Sequence, residues 1–424
     1  MTAPPPPSAP PAAGEAKRGP LAGIRVIDTT GVVVGPVATL ILAEQGADVI
    51  KIEPPEGDLM RRLGGHVRQP GMSPKFLHFN RNKRSIVLDL KSPEGRDVIG
   101  RLAATADVFV SNMRLRALQS LGLTFEALSA ENPRLVHCTI AGFASGGPYA
   151  GAPAYDTIIQ GLSGVAACHA EVLGEPRFSP FVLTDHLVGI IAAQAICAAL
   201  LGRQRTGVGE AIEVPMFENA AAFVLSEHLD QRTFEPGGHM GDPRIMTPDA
   251  RPLKTRDGYI CISANTDQQT RGFFDAIGRP ELKDDPRFTT VTGRLTNVRD
   301  FFALRAEAMA ERTTDAWVEI LRRHDVPAMP YHTLQSLLDD PQLRGSGVLT
   351  DEMQNQENGN GNANPQEDTM LGLRHPNRYS GTGLPASRLA PRFGQHGDEI
   401  LAELGYDADE RSRLLGGRGA DTVR

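Results

Sequence analysis

Between Leu21 and Ile140, apolar strand-like runs alternate with helix-like runs, and this alternation limits the possible fold more than any other feature of the chain. Ile24-Arg25-Val26-Ile27-Asp28 reads as a buried strand, Gly31 to Pro36 as a turn, Val37 to Gln45 as a helix stopped by Gly46, and Asp48 to Glu53 as the next strand. The pattern repeats with a strand over Ser85 to Leu90, a helix over Pro93 to Thr105, a strand over Val108 to Ser111, a helical segment near Leu115 to Leu121, and a strand over Leu135 to Ile140. Pro93 suits a first helical turn, where a missing N–H costs nothing. Alternating elements of this kind predict a mostly parallel sheet covered on both faces, a doubly wound, Rossmann-like α/β architecture.

Further along, Thr184-Asp185 precedes an apolar, Ala-rich run from His186 to Arg203 that reads as a helix, with Asp185 at its N-cap. Positive potential at a helix start favours an ionised carboxylate, the form able to attack an acyl carbon. Glu210 to Met216 follows as a strand and Glu218 to Glu227 as a helix. A Gly/Pro-rich linker then leads to a hairpin around Asp257-Gly258 and helices near Gln268 to Ile277, Asn297 to Glu311 and Thr314 to His324, a smaller α+β unit with Trp317 in its core. The domain plan is an unstructured Pro/Ala-rich arm (1–19), a large domain (20–230), a linker (231–250), a small α+β domain (251–349), a polar insertion (350–373, low-complexity over 354–368) and a C-terminal segment (374–424).

A net charge of −7, with 44 basic against 51 acidic residues and no dense Lys/Arg block, gives no electrostatic footprint for nucleic acid or a membrane surface. No stretch reaches the roughly 18 consecutive apolar residues of a membrane span. Cys138, Cys168, Cys197 and Cys261 lack metal-ligand spacing and read as reduced core residues, so no metal site is expected and the cytoplasm is the expected compartment.

Gly31-Val-Val-Val-Gly35 lacks the GxGxxG dinucleotide fingerprint, although its turn has backbone N–H groups to offer an acyl oxygen or phosphate. Asn80-Arg-Asn-Lys-Arg84 places cations before a strand, either as a solvated strand entrance or as an anion site. Val110-Ser-Asn-Met-Arg-Leu-Arg116 ends another strand at the carboxyl edge, where open α/β sheets bind ligands. Gly237-Gly-His-Met-Gly241 is either a flexible linker or a closing loop.

Taken in order, Leu21-Ala-Gly-Ile-Arg-Val-Ile-Asp28, Gly46-Ala-Asp-Val-Ile-Lys-Ile-Glu-Pro-Pro-Glu-Gly-Asp58, Asn82-Lys-Arg-Ser-Ile86, Ala154-Tyr-Asp156, Thr184-Asp185 and Arg205-Thr-Gly-Val-Gly209 resemble the class III CoA-transferase family, which includes formyl-CoA and carnitine CoA-transferases and α-methylacyl-CoA racemases. The resemblance is strong over Leu21 to Asp230 and looser over Arg251 to Leu349. It implies an interlocked homodimer whose C-terminal segment returns to the large domain. It also implies coenzyme A as part of the substrate rather than a permanently bound cofactor, and an acyl-CoA and a small carboxylic acid as partners.

By the same resemblance Asp185 is the nucleophile that becomes an aspartyl-CoA thioester. The positions matching CoA contacts are Val33 and Val34, Leu88, Asp89, Leu90 and Lys91, Asn112, Met113 and Arg114, and Tyr155-Asp156. Pro54, Ser120 and Pro153 stand where the family has basic residues, so phosphate contacts are expected to shift to Lys83, Arg84, Arg114 or Arg116. Val33 stands in place of a glutamine, which points to a more apolar acyl group than formate or oxalate.

The racemase branch has a histidine where this chain has Tyr155, a phenol poorly suited to carry protons at pH 7, with His169 and His186 as substitutes. A nicotinamide-dependent oxidoreductase and a non-catalytic CoA-binding scaffold are the readings from other classes.

Overall fold

The structure, a computed structural model, describes residues 18–63, 67–353 and 369–416. The proline-rich arm, apart from Arg18 and Gly19, lies outside the described residues, as do the low-complexity segment 354–368 and the tail past Gly416. The chain divides into two compact units, one formed by residues up to Ser163, Pro180–Ala220 and Arg344 onward, the other by Gly164–Ser179 and Ala221–Leu343.

The first unit is built on six parallel strands: β1 (Arg25–Asp28), β2 (Asp48–Glu53), β3 (Arg84–Val87), β4 (Val108–Ser111), β5 (Val136–Ala141) and β6 (Ala211–Pro215). Their spatial order is β3-β2-β1-β4-β5-β6, with Val26 of β1 opposite Val49 on one side and Val108 on the other. The order reverses between β1 and β4, and a crevice opens beyond the carboxyl ends of strands at such a switch point.

Helices cover both faces, as the near-continuous apolar strands require. On one face, Val34–Glu44 and the long helix Leu183–Thr206 pack over Val26, Val49, Val108 and Val136. On the other, Pro93–Ala104 and Phe125–Glu131 pack over Ile27, Ile50 and Phe109, joined by Ile400 and Leu401 from the C-terminal segment. Pro93 is the first residue of its helix, and Ser92 caps it by accepting from the Gly95 N–H at 3.0 Å.

The long helix is apolar and long enough to cross a membrane, with a mean hydropathy of 1.6 over its most apolar window. Its buried face, Val188, Ala192, Ala193, Ile196 and Leu200, belongs to the core of the unit. The C-terminal segment also borders β3, the edge strand: the His396 N–H donates to the Ser85 carbonyl at 2.9 Å. Arg84 is gripped by Asp48 (2.6 Å), Glu399 (2.9 Å) and Glu403 (2.6 Å).

In the second unit β7 (Leu253–Lys254), β8 (Tyr259–Ile262) and β9 (Ala328–Pro330) form an antiparallel sheet. The helices Asp267–Ala276, Val298–Met309 and Thr314–Arg323 pack around Phe273, Phe274, Phe301 and Trp317. Trp317 is core, with its indole N–H donated to the Met309 carbonyl at 2.9 Å. A buried indole that keeps its hydrogen bond has little cost to its burial.

Candidate active site

Two stretches far apart in sequence meet as a pair of carboxylates. Tyr155 is extended and exposed, and the helix Asp156–Leu162 starts directly after it. Asp156 is buried; its Oδ1 accepts from the Thr184 N–H (2.8 Å), the Thr184 hydroxyl (2.8 Å) and the Asp185 N–H (3.3 Å). Its Oδ2 accepts from Gln160 Nε2 at 2.6 Å.

Asp185 is therefore not the cap of its helix, contrary to the sequence expectation. The helix begins at Leu183 after Val182, which gives no side-chain cap, and Asp185 is its third residue. First-turn N–H groups lack intrahelical partners, and here Asp156 takes two of them from a distance of 28 and 29 residues in sequence.

The electrostatics differ from expectation for the same reason. Asp185 is only 8% exposed, and burial pushes its carboxyl up from 3.8 to about 7, with the Asp156 carboxylate adding to the rise. Desolvation thus outweighs the helix-end potential that favours an ionised group. Near pH 7 the side chain is poised between acid and anion rather than held ionised.

The helix that follows the turn after β1 packs closely against the helix bearing this carboxylate. Gly189, one helical turn beyond Asp185, is so close to the helix Val34–Glu44 that a Cβ there would lie 2.7 Å from the Val34 carbonyl oxygen and 2.9 Å from Val37 Cγ1. Residues four apart share a helix face, so Asp185 lies on the face of the long helix that is turned toward the helix Val34–Glu44. Gly189→Val is expected to force the two helices apart, lowering the thermal midpoint by several degrees and cutting turnover; melting curves and steady-state rates check both effects.

Buried charge fixes the turn itself. Asp28 Oδ1 accepts from the Thr30 N–H at 2.9 Å, Lys51 Nζ donates to the Thr30 carbonyl at 2.8 Å and pairs with Asp58 at 2.8 Å, and Asp58 accepts from the Val32 N–H at 3.2 Å. Asn112, after β4, exchanges both amide bonds with Gly31 (3.1 and 2.9 Å) and so ties the two sides of the switch point together. Val32 sits at φ +70°, a left-handed conformation costly for a β-branched residue and sustained only by such surroundings.

These bonds take the N–H groups of Gly31 and Val32 for the turn itself. They also argue against a pyrophosphate cradle and hence against the nicotinamide reading.

The remaining sequence candidates lie along the same carboxyl edge. After β3, Leu88 is buried, Leu90 half-buried, and Asp89 and Lys91 exposed, with Asp89 accepting from the Lys91 N–H at 3.0 Å. After β4, Met113 is half-buried and Arg114 exposed at the start of the helix Leu115–Leu121, which also carries the exposed Arg116.

The cationic stretch before β3 is not an anion site. Arg81 pairs with Glu44 (2.6 Å), Lys83 with Asp28 (3.1 Å), and Arg84 with the three carboxylates named above. Lys83 and Arg84 are thus removed from the expected phosphate ligands, while Arg114 and Arg116 remain exposed.

His186 lies edge-on to Phe79 at 5.6 Å between ring centroids. In the second unit, His169 Nε2 is 3.2 Å from the Ser179 hydroxyl, and the Gly237–Gly241 loop is tied by the Gly241 N–H to the His228 carbonyl. Sequence reasoning quoted Thr184, Lys51 and Asp58 within motifs without giving them a role and passed over the role of Gln160; for Thr184, Gln160 and Lys51 the available signal was polarity in an otherwise apolar run.

A doubly wound sheet with a desolvated carboxylate on a helix that packs over it defines an α/β enzyme suited to acyl chemistry. The chain belongs to CoA-transferase family III, matched over residues 21–397, and is a class III CoA-transferase. It is similar to the succinate–glutarate CoA-transferase of Agrobacterium fabrum, 32% identical over 402 residues that cover 92% of this chain and 96% of that protein. It is also similar to the formyl-CoA:oxalate CoA-transferase of Escherichia coli, 31% identical over 416 residues covering 92% and 97%. A solved structure of a CAIB/BAIF family protein from Brucella suis has a TM-score of 0.74 at 32% identity and covers 91% of this chain and 100% of that one.

Proposed function

We propose that the enzyme moves CoA from an acyl-CoA thioester to a carboxylic acid through a covalent intermediate on Asp185. The carrying observation is the Asp185 carboxylate, buried and shifted toward neutrality on the helix face turned toward Val34–Glu44. A carboxylate stripped of water and raised in basicity is a stronger nucleophile once ionised.

The Asp185 anion attacks the thioester carbonyl, the C–S bond breaks, and a mixed anhydride and CoA thiolate result. The thiolate then attacks the aspartyl carbonyl, releasing the donor acid as its carboxylate and leaving an aspartyl-CoA thioester. The acceptor carboxylate attacks that thioester to form a second anhydride and free the thiolate again. Attack of the thiolate on the acceptor acyl carbon gives the new acyl-CoA and restores Asp185. Each step exchanges one activated acyl bond for another, so the scheme needs neither ATP nor a metal.

Val34, Leu88–Lys91, Asn112–Arg114 and Tyr155 are the proposed CoA-facing positions, and Val33 borders the acyl group. Arg114 and Arg116, exposed at the carboxyl edge, supply the phosphate contacts. Replacing both by alanine is expected to raise KM for the acyl-CoA about tenfold with kcat within a few-fold, the signature of lost uniform binding.

The named activity of a relative on succinate and glutarate supports a dicarboxylic acid as acceptor, and the apolar Val33 a branched one, with succinyl-CoA as a donor to try first. The exposed Ile190 and Leu201 on the outer face of the long helix, with Phe181 before it, support a homodimer, which we place in the cytoplasm.

Incubation with a panel of acyl-CoAs, borohydride or hydroxylamine trapping and peptide mass analysis tests the reading. The modification is expected on Asp185, and transfer in its absence would overturn the covalent route.

A further inference from the structure

The transfer scheme uses Asp185 and gives no task to the carboxylate beside it. Asp156 is 5% exposed, and both of its oxygens are already bonded by Thr184, Asp185 and Gln160. A side chain so engaged has little left to offer a ligand. Resting on the transfer reading above, we propose that Asp156 is a positioning residue: it fixes the first turn of the helix bearing Asp185 and sets the pH at which Asp185 becomes the attacking anion.

The geometry gives it both tasks. Two N–H bonds to Oδ1 pin the backbone of Thr184 and Asp185, and a third holds the Thr184 hydroxyl, so the nucleophile's Cα cannot drift without breaking them. The same bonds draw the helix-end N–H groups toward Asp156, leaving Asp185 without their stabilisation and facing a like charge.

Other charged or titratable groups on the surrounding elements are His186 and, in the last turn, Arg203 and Arg205 on the long helix itself, Glu44 at the far end of the helix Val34–Glu44, His137 on β5, Glu213 on β6, and Lys75 and His78 on the helix Pro74–Phe79, which meets the long helix through Phe79 and His186. Asp156 is the charged group that bears on the Asp185 carboxyl.

Asp156→Asn removes the charge but keeps an acceptor for Thr184; the bond to Gln160 is lost, because Gln160 Nε2 stays turned to the Phe181 carbonyl at 3.3 Å and faces the new amide N–H₂. Its kcat at pH 8 should stay within about threefold of wild type, while the acid limb of kcat/KM moves to lower pH by about one unit. Asp156→Ala also removes the cap and should lower kcat about 100-fold with KM for the acyl-CoA nearly unchanged, as expected when a nucleophile loses its aim.

An unmoved acid limb in the asparagine variant overturns the inference, and so does an alanine variant whose loss falls on KM, which would make Asp156 a CoA contact. If the alanine variant does not fold, the asparagine pH profile decides alone. Wild-type enzyme trapped on Asp185 with an asparagine variant of unchanged profile sinks this inference only; transfer without trapping on Asp185 sinks the reading beneath it.

Discussion

Asp185→Ala is expected to abolish CoA transfer, by on the order of 10⁴-fold or more as for other covalent nucleophiles, and at the same time to stabilise the protein at pH 8. The folded-state carboxyl is raised from 3.8 to about 7, so the native state binds this proton more tightly than the unfolded chain does. The contribution of the group is therefore neutral below about pH 4, turns unfavourable as pH rises toward 7, and remains so above it. At 1.36 kcal/mol per unit the full penalty is about 4 kcal/mol as a ceiling.

Urea denaturation at pH 5 and pH 8 reads the effect directly. The variant should gain on the wild type at pH 8 and much less at pH 5. An alanine variant no more stable at pH 8 would mean that the carboxylate is not desolvated, and its proposed reactivity would lose its physical basis. A protein that retains such a group against its own stability does so at functional sites more often than elsewhere.

The second large effect concerns the charges beneath the Gly31 turn. Asp28 and Lys83 are both fully buried. For Asp28, burial alone would raise the carboxyl, but Lys83 and Lys51 outweigh it and bring it down to about 2. For Lys83, burial brings the ammonium down to about 8. Both therefore stay charged at pH 7.

Asp28→Ala leaves a buried lysine without its counter-charge and removes the acceptor for Thr30 and Thr39. The expected loss is about 3–5 kcal/mol by chemical denaturation at pH 7, and a double variant with Lys83→Met should recover a large part of it.

The wild-type contribution of Asp28 is present above its unfolded value near 3.8 and disappears as pH falls through about 2. Acid should therefore narrow the gap between wild type and Asp28→Ala. A single variant as stable as wild type at pH 7 would show that the pair is a bystander to the turn.

The alternating periodicity of the strands and helices made the doubly wound sheet legible in the sequence, because strands buried on both faces read as continuous apolar runs. Asp185 was visible as a carboxylate before a helix, and the ordered set of family motifs made the enzyme class readable. The cap was misplaced because a helix start was judged from residues within one turn, whereas the acceptor came from Asp156.

The cations before β3 were misjudged for a similar reason. Arg84 finds Glu399 and Glu403 more than 300 residues later, and pattern reasoning sees charge but not a partner so distant. The third strand of the second sheet, Ala328–Pro330, was also missed; it has only three residues and ends in proline.

The grip of the C-terminal segment on β3 has a consequence for how the chain is made. Ser85 and Arg84, near the beginning, wait for His396, Glu399 and Glu403, near the end. During synthesis the border of the sheet therefore stays unprotected while the whole second unit emerges, and an uncovered strand edge is an invitation to wrong pairing. That edge is closed only once residues 396–403 have emerged.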